Sequence, residues 1–319
     1  MRRLFAIGEA LIDFMPTVTN KALKDVEQFS RQVGGAPCNV ACTVQKLGGH
    51  AEMITQLGND AFGDIILETI DDIGVGTQYI ERTNEANTAL AFVSLKEDGQ
   101  RDFSFYRKPS ADMLYDADNI NKIQVTKEDV LHFCSVDLVE SPMKKAHLAL
   151  VEKFEQEEGT IIFDPNVRLP LWDNEDDCRN AILEFIPKAD IIKVSDEEIE
   201  FITGEQNESQ AINSLFKGNV KAVIYTKGPN GASIYLKDGT EKHQNGVKVK
   251  AIDTTGAGDA FIGAVISKIL DQQAIDIPQL FKNYGDEILK FSNNVAAQVT
   301  TKYGAIESIS TLADLENQL

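Results

Sequence analysis

The chain has 319 residues, 43% of them hydrophobic and 25% charged, the composition of a globular protein with a substantial core. Fifty Asp and Glu against 31 Lys and Arg give a formal charge of −19, which argues against nucleic acid or an anionic membrane as partner. No run approaches the roughly 18 apolar residues of a membrane helix. The cysteines, Cys38, Cys42, Cys134 and Cys178, contain no C-x-x-C pair, which fits free thiols in a reducing cytoplasm.

In chain order, "LFAIGEALIDF" (4–14) predicts a first strand. The opening residues resemble a signal peptide only briefly, since Glu9 and Asp13 interrupt the run and no small-residue cleavage site follows. "DFMPTVTNKALKDVEQFSRQVGG" (13–35) has no helical pattern. In "CNVACTVQKL" the apolar positions 40, 41, 44 and 47 share one helix face, where Cys38 and Cys42 read as buried thiols rather than a metal pair. "AEMITQL" (51–57) predicts a strand, and "DAFGDIILETIDDIG" (60–74) a helix closed by Gly74. "TALAFVSLKEDGQRDFSFYR" (88–107) alternates around Asp98-Gly99, a hairpin signal. Then "TIIFDPN", "ADIIKVS" and "KAVIYTKG" are short β-rich runs separated by amphipathic segments such as "KKAHLALVEKFEQEEG", whose acidic end is solvated. "GVKVKAID" (246–253) alternates like a strand, and "AFIGAVISKIL" (260–270) is apolar at helical spacing.

This alternation predicts an α/β fold with a mostly parallel sheet covered by helices on both faces. The two segments outside the rhythm, about 12–33 and 88–110, are expected to pair into a small β-sheet lid on a single domain spanning 1–319. Edge strands of that lid could support a homodimer.

Several chemistries lack their signatures. There is no Gly-Lys dipeptide for a Walker A loop, no G-x-S-x-G elbow and no H-E-x-x-H pair. His50, His132, His147 and His243 are scattered and read as structural or exposed. What remains is "DTTGAGDAF" (253–261), between the expected strand and helix. Free amides and the helix dipole attract anions at such a junction. Gly256-x-Gly258 is not a dinucleotide fingerprint, because Phe261 stands where the third glycine belongs. Asp259 either complements the dipole, or serves as a base for an acceptor hydroxyl while the amides hold a phosphoryl group.

Together with "GGAPCNVACTVQKLGG" (34–49), the segment "DTTGAGDAF" resembles the two signatures of the ribokinase, or PfkB, family of carbohydrate kinases, in the same order and across nearly the whole chain. The resemblance implies a ribokinase-like three-layer α/β/α fold with a small β-sheet lid. It implies Asp259 as general base and the amides of Gly256, Ala257 and Gly258 as anion hole. Asp13, Gly34, Gly35 and Asn39 fall at sugar-binding positions, the glycines leaving room for the sugar. Asn166 and Arg168, in "DPNVR", and Arg107, at the hairpin end, would also face the substrate.

On the nucleotide side the resemblance implies ATP contacts from Lys193, Ser195, Thr226, Lys227, Gly228, Gly231 and Asn294, the last on the family's final helix. Ser195 replaces the family's usual Asn, and Ser195-x-x-Glu198 is also a capping box. Glu198 would organise Mg2+ through water. Asp253, Thr255, Gly304 and Ser308 fall where many members hold a monovalent cation such as K+. "FYRKPSADMLY" (105–115), "GGAPCNVA" and "KVSDEEIEF" resemble the fructokinase branch, implying phosphorylation of the 6-hydroxyl of fructose. Other acceptors within reach are 2-keto-3-deoxygluconate, ribose and aminoimidazole riboside. A non-catalytic ligand-binding member is the competing class, and the intact motif residues speak against it.

Overall fold

The computed structural model describes residues 2–18, 20–95, 101–272 and 276–316. The strands are β1 (Leu4–Ile7), β2 (Leu11–Pro16), β3 (Phe29–Gly34), β4 (Ala51–Gly58), β5 (Gly76–Thr83), β6 (Leu90–Leu95), β7 (Arg101–Tyr106), β8 (Val130–Cys134), β9 (Thr160–Asp164), β10 (Ile191–Ser195), β11 (Ala222–Thr226), β12 (Ala232–Leu236) and β13 (Glu241–Gln244). The helices are α1 (Ala36–Lys46), α2 (Ala61–Ile73), α3 (Pro142–Gln156), α4 (Glu175–Phe185), α5 (Ile199–Thr203), α6 (Glu208–Ser214), α7 (Ala257–Leu270), α8 (Ile277–Val299) and α9 (Leu312–Glu316).

Nine strands form the main sheet in the order β13-β12-β11-β10-β9-β8-β1-β4-β5. It is parallel from β11 to β5, and β12 and β13 extend it antiparallel. The central strands are apolar runs because both faces are covered. On β1, Leu4 and Ala6 enter the core shared with α1, α7 and α8, while Phe5 and Ile7 enter the opposite core against α3. That period-2 split defines three layers, a ribokinase-like α/β/α fold. Helix ends follow local chemistry: Asp60 caps α2 by accepting from the amides of Phe62 and Gly63, and Gly74 ends it in the left-handed region, as expected.

A second sheet, ordered β3-β2-β6-β7, is built from the two segments that broke the α/β rhythm. β2 runs antiparallel to β3 and parallel to β6, and β6 pairs antiparallel with β7. The expected turn at Asp98-Gly99 lies outside the described residues.

Two sequence expectations are corrected. "LFAIGEALIDF" is two strands in two different sheets, the chain crossing between them at Gly8–Ala10. "GVKVKAID" is not a strand: its alternating Val247, Val249 and Ile252 are all exposed, so no buried face rewards an extended pairing. A loop, not a strand, therefore leads into α7. The helix carrying Asn294, α8, is also followed by a further short helix, α9.

Candidate active site

The parallel strands end on one side of the main sheet, and the second sheet stands over those ends. Between them lies a cleft of about 180 Å³. Ligand crevices of open α/β sheets occur at this edge. Leu11, Asp13 and Met15 of β2, Val93 of β6 and Phe105 of β7 line it from the second sheet. Asn39, Asn166, Arg168, Lys193 and Asp259 line it from the main body.

The loop before α7 reaches the cleft through Thr254, Thr255, Gly256, Gly258 and Asp259. Gly256 caps α7 with φ of 75°, and a Cβ there would sit 2.6 Å from the Ala305 Cβ, so the turn needs glycine twice over. Asp253 braces the loop: its carboxylate accepts from the Thr255 amide (2.9 Å) and hydroxyl (2.6 Å) and from the Gly304 amide (3.1 Å). The three amides expected to form an anion hole differ in their surroundings. Gly256 and Gly258 line the cleft, whereas the Ala257 amide donates to the Thr254 carbonyl at 3.3 Å.

Asp259 is half-buried, and its Oδ2 accepts a 2.8 Å hydrogen bond from Asn39 Nδ2. Burial raises its carboxyl above the usual range, opposed by the Asn39 hydrogen bond and by the charges of Lys193 and Arg168. Lys193, on β10, makes a buried ion pair with Asp164 at the end of β9 (2.9 Å). Burial alone would lower Lys193, but Asp164, Glu198 and Asp259 outweigh it and hold the ammonium charged. The Nζ lies 3.4 Å from where a Cβ on Gly258 would be, so this cation stands at the start of α7. Asn166 is at φ of 45°, a left-handed conformation that Asn tolerates better than most residues, and it turns the chain at the strand end. Beyond that turn the Arg168 Nη1 donates to the Val167 carbonyl at 2.9 Å.

Glu198 accepts from the amides of Val167 (2.5 Å) and Ser195 (3.2 Å) and from the Ser195 hydroxyl (2.7 Å). Burial would raise this carboxyl, but Lys193 and these donors bring it below its usual value. The capping box is only half formed, because the Ser195 hydroxyl donates to Glu198 instead of accepting from its amide, and α5 starts one residue after Glu198. Three donors on one carboxylate leave Glu198 suited to a metal's water rather than to direct ligation. No group of three His, Cys, Asp or Glu that could hold a metal ion occurs among the described residues.

Two expectations for the sugar side change. Arg107 does not lie open at the hairpin end: it is 5% exposed and ion-paired with Asp112 and Asp137, with Ser110 bonded to Asp112. Glu9 completes this buried cluster, one oxygen accepting from the Ala36 amide at 2.9 Å and the other without a partner. Burial, and then its neighbouring carboxylates, raise both Glu9 and Asp137, against the pull of Arg107. The glycine pair leaves room for the protein itself as well. A Cβ on Gly34 would fall 2.2 Å from Asp13 Oδ2, and one on Gly35 would fall 2.4 Å from the Glu9 carbonyl.

The nucleotide-side residues follow along the next strand ends. Ser195 and Thr226 are register partners closing β10 and β11. Lys227 is paired with Glu208 at 2.8 Å, and Gly228–Asn230 form a turn closed by the Gly231 carbonyl accepting from the Lys227 amide. On α8 it is Asn293 that is anchored, donating to the carbonyls of Gln244 and Asn245 (3.2 Å each), while Asn294 beside it is half-buried. The Ser308 hydroxyl donates to the Ala305 carbonyl, so Asp253, Thr255, Gly304 and Ser308 share one neighbourhood. Glu9, Asp112, Asp137 and Asp164 were not foreseen as site residues. The one local signal was Glu9, a carboxylate in an otherwise apolar run.

Comparison with known proteins decides the lineage. The model of the pfkB family of carbohydrate kinases matches residues 1–312. The chain belongs to that family. This pfkB-family kinase is therefore a phosphotransferase that acts on a carbohydrate. It is 39% identical over 316 residues to fructokinase-2 of Solanum lycopersicum, covering 98% of this chain and 94% of that one. Among solved structures it resembles a cysteine double mutant of Vibrio cholerae fructokinase bound to fructose, ADP and potassium (TM-score 0.88, 28% identity, 99% and 98% covered). It resembles equally well the aminoimidazole riboside kinase of Salmonella enterica bound to its riboside and an ATP analogue (TM-score 0.87, 25% identity, 99% of each chain). Adenine nucleotides and metal ions are thus bound among this kinase's structural neighbours, ADP with potassium in one and ATP with Mg2+ in an E. coli protein.

Proposed function

We propose that this kinase transfers the γ-phosphate of ATP to the 6-hydroxyl of fructose, giving fructose 6-phosphate and ADP. The observation that carries the reading is the placement of Asp259 in the first turn of α7, beside Gly256 and Gly258 and facing the same cleft as Asp13. Asp259 takes the proton of the acceptor hydroxyl. The hydroxyl oxygen bonds to the γ-phosphorus as the bond to the bridging oxygen breaks, and ADP leaves with that electron pair. The Gly256 and Gly258 amides, the α7 dipole and Lys193 stabilise charge on the transferred group. Mg2+ carried on the phosphates would neutralise part of that charge, with Glu198 holding one of its waters. K+ would sit beside the loop 253–255, whose carbonyls are the hard donors such an ion prefers.

Asp13 supplies a carboxylate for vicinal sugar hydroxyls, and Arg168 a cation at the cleft wall. The second sheet serves as a lid that excludes water from the transfer within a single kinase domain. Its face away from the cleft carries a chain of aromatic contacts from Phe62 of α2 through the half-buried Phe14, Phe29 and Phe92 to the exposed Tyr106. We assign the exposed end to a homodimer, which sedimentation velocity would read. Four buried, unpaired thiols agree with a reducing cytoplasm. The fructokinase relative favours fructose, while the riboside kinase neighbour makes aminoimidazole riboside the second reading. ADP release measured across fructose, ribose, 2-keto-3-deoxygluconate and the riboside decides between them. Fructose should give the highest kcat/KM, and a riboside preferred over it would overturn the assignment.

A further inference from the structure

Asn39 occupies an unusual place for its residue type. It lies in the first turn of α1, yet it caps nothing: α1 begins on Gly35 without a side-chain cap, and the Asn39 amide donates to the Gly35 carbonyl at 2.8 Å. The side chain is 95% buried by the measure of its 5% exposure, and its Oδ1 has no hydrogen-bond partner among the described residues. Its one hydrogen bond among the described residues is the 2.8 Å donation from Nδ2 to Asp259 Oδ2, across 220 positions of chain. Because an ionised carboxylate only accepts, the amide nitrogen must face it, and Oδ2 of Asp259 is held at that nitrogen.

The distance is fixed one helical turn further on. Gly263 follows Asp259 by four residues on α7, and Thr43 follows Asn39 by four on α1. A Cβ on Gly263 would lie 2.6 Å from the Thr43 Cβ and 3.3 Å from the Val40 carbonyl. The two helices therefore touch backbone to side chain at Gly263, and this contact brings the preceding turn of each within hydrogen-bonding reach.

We propose that Asn39 is a positioning residue for the base, and that the glycine contact at Gly263 sets the geometry in which it acts. Occupying Oδ2 leaves Asp259 Oδ1 as the oxygen that receives the hydroxyl proton. The bond also opposes the rise that burial imposes on the Asp259 carboxyl, acting in the same direction as the charges of Lys193 and Arg168. This inference rests on the reading of Asp259 as general base.

The test is a double-mutant cycle in the full-length chain, with Mg-ATP and fructose. Asn39→Ala should lower kcat about 10–100-fold, the cost of a misplaced reacting group, with fructose affinity in the presence of a non-hydrolysable ATP analogue changed less than about threefold. Gly263→Ala, which touches no part of the cleft, should also lower kcat without weakening sugar binding. In an Asp259→Asn background either change should alter turnover less than about twofold, because nothing remains for it to position. Equal losses in both backgrounds, or weakened fructose binding with kcat intact, would overturn the inference while leaving the base in place. Near-normal turnover of Asp259→Asn alone would overturn the base, and this inference with it.

Discussion

Replacing Asp259 with asparagine should lower kcat by about 10²–10⁴-fold while sugar and ATP affinities stay within a few-fold. The amide keeps the volume of the carboxylate and removes its charge together with its capacity to take a proton. Rate and affinity should therefore separate, as they do when a group acts only in the transition state. The pH profile gives a second reading of the same residue. Burial raises the Asp259 carboxyl above its usual value, which for Asp is about 3.9. The base works only when ionised, so kcat should fall on the acid side through a pKa above that value. In Asp259→Asn this acid limb should vanish. A variant with near-normal turnover, or one that retains the same limb, would remove Asp259 from the base role.

The second large effect concerns stability. Arg107→Met should destabilise the fold by about 3–5 kcal/mol, the range seen when one partner of a buried ion pair is deleted. Methionine replaces the hydrophobic stem but leaves Asp112 and Asp137 buried beside Glu9 without their cation. Against a total stability of about 5–15 kcal/mol such a loss is large. Adding Asp112→Asn should restore part of it by removing one unpaired charge. The pH dependence has a definite sign. Glu9 and Asp137 are raised in the folded state, so the fold holds their protons more tightly than the unfolded chain does. Stability from these groups is present at low pH and is lost as pH rises through their folded values. Without Arg107 opposing the rise, the variant should lose more stability than the parent between about pH 5 and pH 8. Equal denaturation midpoints for variant and parent would show that the cluster is not the buried charge network described here.

The sequence was a good guide where one local pattern had one cause. Continuous apolar runs marked β9, β10 and β11 because both faces of those strands are covered. The two segments that failed to fit became the second sheet, and the alternation within 88–107 matches a sheet with one covered face. Pattern alone misled where its cause lay elsewhere. "GVKVKAID" alternates, but its valines meet solvent. "LFAIGEALIDF" reads as one apolar run, and only Gly8 and Glu9 mark the crossing from one sheet to the other.

Short motifs singled out Asp13, Gly256, Gly258 and Asp259, and the fold brings these four to one cleft. Partnerships across the fold were invisible. Arg107 read as facing the substrate from the hairpin end, since the carboxylates that pair with it lie 5 and 30 positions away. Asn39 read as a sugar ligand because its bond to Asp259 exists only once α1 and α7 pack. Gly34 read as space for a ligand, whereas much of that space holds the Asp13 carboxylate.

The central claim is that this cleft moves a phosphoryl group from ATP to the 6-hydroxyl of fructose. The most direct measurement is ADP release with and without fructose, followed by NMR location of the phosphate on the product. The account predicts ADP formation that depends on the sugar and a single product phosphorylated at the 6-position. ADP release independent of fructose, or phosphate at another carbon, would contradict it.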